Sequence, residues 1–118
     1  MHNYRELKIW QRSMDLCEKV YTATANFPKE ERFGLTSQIK DCATSIPGNI
    51  AEGAGRNTNK QSRHFLEFSM GSDNELQTRL ELARRFEYID DTSAYGLIDE
   101  ALQIFKMILS YYNSLPGD

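Results

Sequence analysis

Apolar residues recur at steps of three and four through almost the whole sequence, and no segment alternates apolar and polar residues as a strand would. The spacing follows the 3.6-residue repeat of an α-helix, so each stripe must be buried against another element. Capping and turn residues divide the 118 residues into four such segments. Short connections favour antiparallel neighbours, and the sequence therefore predicts an all-α, antiparallel up-and-down four-helix bundle in a single domain, residues 1–118.

The first helix is predicted from a capping signal, a stripe and a stop signal. Asn3 followed by Glu6 resembles a capping box, and Asn26-Phe27-Pro28 ends the helix. Alternating steps of three and four place six residues on its predicted inner face: Leu7, Trp10, Met14, Cys17, Tyr21 and Thr24.

The second helix contains a proline that should disturb it. We predict its start at Pro28, which suits a first helical position. Its inner stripe comprises Leu35, Ile39, Cys42, Ile46 and Ile50. Pro47 would cost about 3 kcal/mol inside a helix, so the helix either stops two residues earlier or continues with a kink supported by packing. Because the stripe resumes in phase at Ile50, we predict a continuous, kinked helix that ends at Gly53 and Gly55.

The third helix is predicted to begin at a capping box, Thr58 to Gln61, and the fourth after the turn and cap residues of 88–93. The third helix has a broad predicted inner face: Phe65, Leu66, Phe68, Ser69, Ser72, Leu76, Leu80, Ala83 and Phe86.

The fourth helix carries two parallel apolar stripes, which is more than one bundle core needs. The first comprises Leu97, Ala101, Ile104, Ile108, Tyr111 and Leu115. The second comprises Ile98, Leu102, Phe105, Leu109 and Tyr112. We predict that the second stripe forms the interface of a homo-oligomer, since exposed apolar patches of this size mark subunit contacts.

Residue types that carry catalysis or bind metals are sparse. Neither the two histidines, His2 and His64, nor the two cysteines, Cys17 and Cys42, have the spacing of a metal site. No serine has an evident histidine partner, and no strand precedes a glycine-rich phosphate loop. We therefore predict no enzyme activity, no metal, no cofactor and no small-molecule substrate. The lack of a leader-like or membrane-spanning apolar run predicts a cytoplasmic protein with reduced thiols.

Four polar residues of the second helix share one face: Gln38, Ser45, Asn49 and Glu52. Such a face suits either a recognition surface or a half-buried hydrogen-bond network that fixes helix register. We favour the network.

A basic cluster surrounds the turn between the second and third helices, where no acid lies between Glu52 and Glu67. Basic groups near a helix start suit phosphate contacts, although the formal net charge of −3 argues against indiscriminate binding to nucleic acid. The predicted nucleic-acid-binding residues are Arg56, Lys60 and Arg63 in the cluster, with Arg79, Arg84 and Arg85 farther along the third helix.

Three segments, 33–39, 45–53 and 65–76, carry a family resemblance, of which Asn49-Ile50-Ala51-Glu52-Gly53 is the most specific part. The chain resembles the four-helix-bundle family of bacterial proteins encoded in intervening sequences of 23S ribosomal RNA genes, to which accessory proteins of diversity-generating retroelements are related. The resemblance implies ring-like homopentamers without enzyme activity. It also implies association with structured RNA, or a scaffold role with a reverse transcriptase and its RNA. Lys40-Asp41-Cys42 departs from the basic or small pair usual in relatives.

Overall fold

Four α-helices make up most of the computed structural model, which describes residues 3–117. They are α1 (Lys8–Thr24), α2 (Leu35–Ala54), α3 (Asn59–Arg85) and α4 (Asp91–Ser114), with 3-10 turns at Tyr4–Glu6 and Lys29–Glu31. Successive helices pack in the order α1–α2–α3–α4, α4 returns to α1, and α2 with α3 form the most extensive contact. No strand occurs in the described residues. The predicted all-α four-helix bundle is confirmed.

Side-chain caps place the starts of α3 and α4 where the sequence predicts them. Gln61 donates its backbone N–H to Thr58 Oγ1 at 3.1 Å, and Ser93 donates its backbone N–H to Asp90 Oδ1 at 2.7 Å. Each cap satisfies one of the amide donors that a helix start leaves unpaired.

The predicted starts of the first two helices are wrong, because their signals cap short 3-10 turns. Asn3 accepts the Arg5 backbone N–H, and α1 begins only at Lys8. Pro28 likewise precedes the turn Lys29–Glu31. The start of α2 is held instead by Glu31, whose carboxylate accepts the Leu35 backbone N–H at 3.1 Å.

The centre of the inner face of α1 lies one position before the predicted stripe, of which Thr24 is buried and Leu7, Trp10 and Cys17 are half-buried against the core. Its buried residues are Ile9, Ser13, Leu16, Val20 and Thr24. Met14 and Tyr21, which were predicted to face inward, are exposed. The observed stripe includes the buried polar residue Ser13. Its burial is tolerated because its hydroxyl donates to the Trp10 carbonyl at 2.9 Å.

Helix α2 continues through Pro47, as predicted, and all five residues of its predicted stripe are buried. Proline has no N–H, so the carbonyl of Ala43 loses its usual helical donor four residues later. The Cys17 thiol of α1 donates to that carbonyl at 3.1 Å and replaces the missing donor. The helix ends at Ala54, while Gly53 lies inside it, where a Cβ would stand 3.0 Å from the Ser62 carbonyl oxygen of α3.

The core is narrower on α3 than predicted. Its buried residues are Leu66, Ser69, Asp73, Leu76, Leu80 and Ala83. Phe68 and Phe86, which were predicted to face inward, are 50% and 53% exposed, because the two neighbouring helices cover only a limited arc of α3. The first stripe of α4 is buried or half-buried throughout, as predicted. In the described part of the chain, no helix combines the length and apolarity needed to cross a membrane.

Candidate nucleic-acid interface

The short loop from α2 to α3 brings Arg56 beside the first turns of α3. Its Nη2 lies 2.7 Å from Glu52 Oε2, and its guanidinium carbon lies 4.4 Å from the centre of the Phe65 ring. The exposed ion pair with Glu52 adds little stability, but it holds the guanidinium over the ring.

An open groove of about 560 Å³ adjoins this loop. It is lined by Arg56, Thr58, Lys60, Gln61, His64, Phe65 and Glu67. The start of α3 adds amide donors and the positive end of the helix dipole to the groove. We refer to residues 56–68, including Phe68 on the next turn, as the amino-terminal corner.

Three aromatic side chains of this corner contact one another edge to face. The ring centres of His64 and Phe68 are 4.6 Å apart, and those of Phe65 and Phe68 are 6.0 Å apart. Phe68 nevertheless keeps half of its surface exposed. The corner thus combines cationic groups with accessible aromatic surface.

Arg63, the third predicted member of the cluster, contacts the end of α4. Its Nη1 donates to the Pro116 carbonyl at 3.0 Å and to the Leu115 carbonyl at 3.5 Å. The guanidinium therefore binds carbonyls beyond the last turn of α4, away from the groove that Arg56 and Lys60 line.

Arg79 lies in the seam between α2 and α3. Its Nη1 donates to Glu75 Oε2 at 2.8 Å and to Cys42 Sγ at 2.9 Å, and its Nε donates to Gln38 Oε1 at 3.4 Å. The hydrogen bond from Arg79 holds the pKa of Glu75 below its ordinary value. Burial raises the pKa of the Cys42 thiol. Arg79 thus already has protein partners on both helices.

Arg84 and Arg85 lie at the end of α3, surrounded by acids. Arg84 contacts Glu81 Oε1 at 2.6 Å and Asp91 Oδ1 at 3.3 Å, and Arg85 Nε lies 3.5 Å from the same Glu81 oxygen. Hydrogen bonding from Arg84 lowers the pKa of Glu81. We refer to residues 81–95 as the carboxyl-terminal corner. The structure therefore does not bring the six predicted residues together in one surface.

Two of the four residues on the shared polar face of α2, Ser45 and Asn49, form a half-buried network of the kind that the sequence favours. The hydroxyls of Ser45 and Ser72 are 2.8 Å apart, and Asn49 Nδ2 donates to both the carbonyl and the hydroxyl of Ser45 at 2.9 Å. The other two predicted members, Gln38 and Glu52, are exposed and lie outside this network: Gln38 accepts from Arg79, and Glu52 pairs with Arg56. This network fixes α2 against α3 just beside the amino-terminal corner.

The second stripe of α4 is incompletely covered by the described residues. Leu102 and Leu109 are 39% and 40% exposed, whereas Ile98, Phe105 and Tyr112 are half-buried. Ile98 also borders a groove of about 410 Å³ beside Leu82 of α3. The predicted subunit interface on this stripe stays a prediction.

Asp73 is a buried ionisable group that the sequence prediction missed. One carboxylate oxygen accepts from Gln77 Nε2 at 2.7 Å, and the other has no hydrogen-bond partner among residues 3–117. Burial raises its pKa to about 6. Its position between Ser69 and Leu76 follows the helical spacing of the core, so the stripe itself contained the signal.

Sites for metal ions are not formed by the described residues, where no three His, Cys, Asp or Glu side chains cluster suitably. His64 contacts phenylalanine rings, and His2 lies outside the described residues. Cys17 and Cys42 are free thiols, and burial raises the pKa of Cys17 to about 11.

Comparison with known proteins identifies the family. The sequence profile of the 23S rRNA-intervening sequence proteins matches residues 5–110. The chain belongs to this family. No curated protein matches the sequence. The fold is similar to that of a crystal structure of a protein of unknown function from the S23 ribosomal protein family of Bacteroides thetaiotaomicron VPI-5482, with a TM-score of 0.80 and 23% identity over 90% of this chain and 99% of that chain.

The match to the 23S rRNA-intervening sequence protein family includes both corners of α3 and nearly all of the second α4 stripe; only Tyr112 lies beyond it. The resemblance seen in the sequence is thereby confirmed at the level of the family. At 23% identity, the similar crystal structure shows the fold alone.

Proposed function

We propose that this member of the 23S rRNA-intervening sequence protein family is a non-catalytic, cytoplasmic homo-oligomer that associates with structured RNA. The observation that carries the proposal is the amino-terminal corner. There, Arg56 and Lys60 line an open groove at the start of a long helix, beside half-exposed aromatic rings. Cationic groups and helix-start amides together suit phosphate oxygens.

Self-association is supported by the second stripe of α4. Leucines that remain 39–40% exposed in a row along one helix lose unfavourable contact with water when a second copy covers them. We propose a homopentamer, which is what the resemblance to this family implies; a repeated heterologous contact that closes gives such a ring.

The RNA proposal is tested by measuring affinity for a labelled 23S rRNA fragment against salt concentration. If phosphate contacts dominate, log K should fall linearly with log salt, with a slope of about −0.7 to −0.9 per phosphate neutralised. Binding that is undetectable at low ionic strength, while the oligomer stays intact, would overturn the proposal.

The assembly proposal is tested by sedimentation of the whole chain at micromolar concentration. We expect a species of five protomers, each of 13.6 kDa. Leu102→Glu together with Leu109→Glu should dissociate it, whereas Lys106→Glu, an exposed control on the same helix, should not. A 13.6 kDa species for the unmodified chain would contradict the assembly proposal.

A second candidate function is a protein-interaction scaffold, for example an accessory subunit of a reverse transcriptase. The observation that favours it is the same α4 stripe, which also suits a protein partner, together with the net charge of −3. Capture of a reverse transcriptase that survives charge reversal at the amino-terminal corner, but is lost on Leu102→Glu with Leu109→Glu, would favour this function over RNA association.

A further inference from the structure

We propose that the amino-terminal corner binds unpaired nucleotides, with one base stacked on Phe68 and an adjacent phosphate held by Arg56 and Lys60. This inference rests on the proposed association with RNA and specifies which part of a structured RNA the protein contacts. A loop, bulge or single-stranded end would be the ligand, and the stem beside it would not.

The aromatic arrangement leaves room for a base. The planes of His64 and Phe65 are inclined at 67° and 69° to that of Phe68, so neither neighbour stacks parallel on the ring. Half of the Phe68 surface remains exposed. Stacking on an aromatic side chain is available to all four bases, because each has a π-face.

The charges of the corner define where the phosphate would lie. Arg56 is fixed over Phe65 by Glu52, and Lys60 lines the same groove one helical turn before His64. Glu67, the acid that borders the groove, follows three residues after His64 and disfavours a phosphate on that side. The sugar-phosphate backbone of the RNA should therefore pass beside Arg56 and Lys60, and the base should extend toward Phe68.

The size and chemistry of the groove agree with a ligand of about one nucleotide. Its volume of about 560 Å³ lies within the range of small-ligand sites, roughly 300–1,000 Å³. Thr58 and Gln61 also line it and offer polar side chains to the sugar and phosphate groups near Lys60. A paired A-form helix keeps its base faces stacked inside, so it could use the cations but not the phenylalanine.

The test compares two labelled RNAs with the whole protein: a hairpin with an eight-nucleotide loop and a blunt duplex of the same stem. We expect the hairpin to bind at least about tenfold more tightly than the duplex. Phe68→Ala should reduce hairpin affinity about tenfold and leave duplex affinity unchanged. Phe86→Ala, a matched control that removes an equally exposed phenylalanine from the cap position just after α3, should change neither affinity by more than about twofold.

Phe68→Leu keeps an apolar side chain but removes the aromatic ring. It is the control for the possibility that the alanine variant loses affinity because it folds poorly. We expect it to melt like the unmodified protein and to bind the hairpin as weakly as Phe68→Ala. Equal affinity for both RNAs, or hairpin affinity that is unchanged in both Phe68 variants, would overturn this inference but leave the proposed RNA association intact. Failure to bind either RNA would overturn both.

Discussion

The two ends of α3 contain similar side chains in opposite surroundings. The amino-terminal corner has Arg56, Lys60 and the exposed Phe68, and the carboxyl-terminal corner has Arg84, Arg85 and the exposed Phe86. At the first end, the cations line an open groove beside a Thr58 cap. At the second, both arginines contact Glu81, and Arg84 also reaches Asp91. Arg56 is also paired, with Glu52, so the two corners differ in the open groove and in the helix end that the cations occupy. A count of basic residues therefore does not identify an anion site.

Helix polarity widens the difference between the corners. A helix start carries partial positive charge and an end carries partial negative charge, each worth about 0.3–1 kcal/mol to a nearby ion. Arg84 and Arg85 occupy the last turn of α3, where their positive charge interacts with the negative end of the helix dipole and stabilises the helix. Arg56 and Lys60 lie at the start, where an added anion gains from both the side chains and the backbone.

The largest expected effect comes from reversing charge at one corner at a time. Arg56→Glu with Lys60→Glu should reduce RNA affinity about 30-fold or more, because phosphate contacts are replaced by repulsion. Arg84→Glu with Arg85→Glu makes the same change in net charge and should reduce affinity less than about threefold. Titration of labelled RNA into both variants measures this. Equal losses would mean that overall charge, and not the corner, governs binding.

The comparison holds only while the bundle is folded, and Asp73 in the middle of α3 affects its stability. Its pKa of about 6 lies above the ordinary 3.8, because the folded protein favours the neutral carboxyl. The free energy of unfolding is therefore highest below about pH 4, where Asp73 is neutral, and falls as the pH rises through about 6. Asp73→Asn should stabilise the protein at pH 8 by on the order of 2 kcal/mol and flatten this pH dependence. Urea unfolding at pH 5 and pH 8 measures it. An unchanged dependence in the variant would contradict this assignment.

The cap of the amino-terminal corner should have a smaller effect. Thr58→Ala removes the acceptor for the Gln61 N–H and should cost about 1 kcal/mol of the free energy of unfolding. Thr58→Ser keeps the hydroxyl and should cost a few tenths at most. Denaturant midpoints of the two variants separate cap loss from simple truncation. A stability in Thr58→Ala equal to that of Thr58→Ser would show that the cap contributes nothing.

The smallest expected effect is at the other end of α3, where Glu87 has a left-handed backbone with φ of 63°. Glycine adopts this conformation without a Cβ penalty, so Glu87→Gly should stabilise the protein by about 0.5–1 kcal/mol. Glu87→Ala removes the same carboxylate but keeps the penalty, and should give no such gain. Thermal unfolding of both variants checks this. A lower melting temperature for the glycine variant would contradict the claim that the backbone is strained at Glu87.

Local signals in the sequence predict much of this fold. Thr58 and Asp90 begin helices because their side chains bond amides three residues away, and the stripe of α2 lies on one face whatever surrounds it. The register of α1 could not be predicted from apolar residues alone, because a buried Ser13 bonds its own helix and replaces an apolar side chain in the stripe.

The candidate site was less predictable, since it depends on contacts between segments distant in sequence. Arg63 meets the end of α4 across 53 residues, and Arg79 meets Cys42 of α2 across 37. No local pattern distinguishes these arginines from Arg56. Likewise, the outward position of Phe68 depends on how much of α3 its neighbours cover.

Amide hydrogen exchange with and without bound RNA shows which of the two corners the RNA covers. We expect slower exchange at 56–68 when a looped RNA binds, with exchange at 81–95 unchanged. Protection at 81–95 with none at 56–68 would contradict this expectation, as would equal protection of both corners.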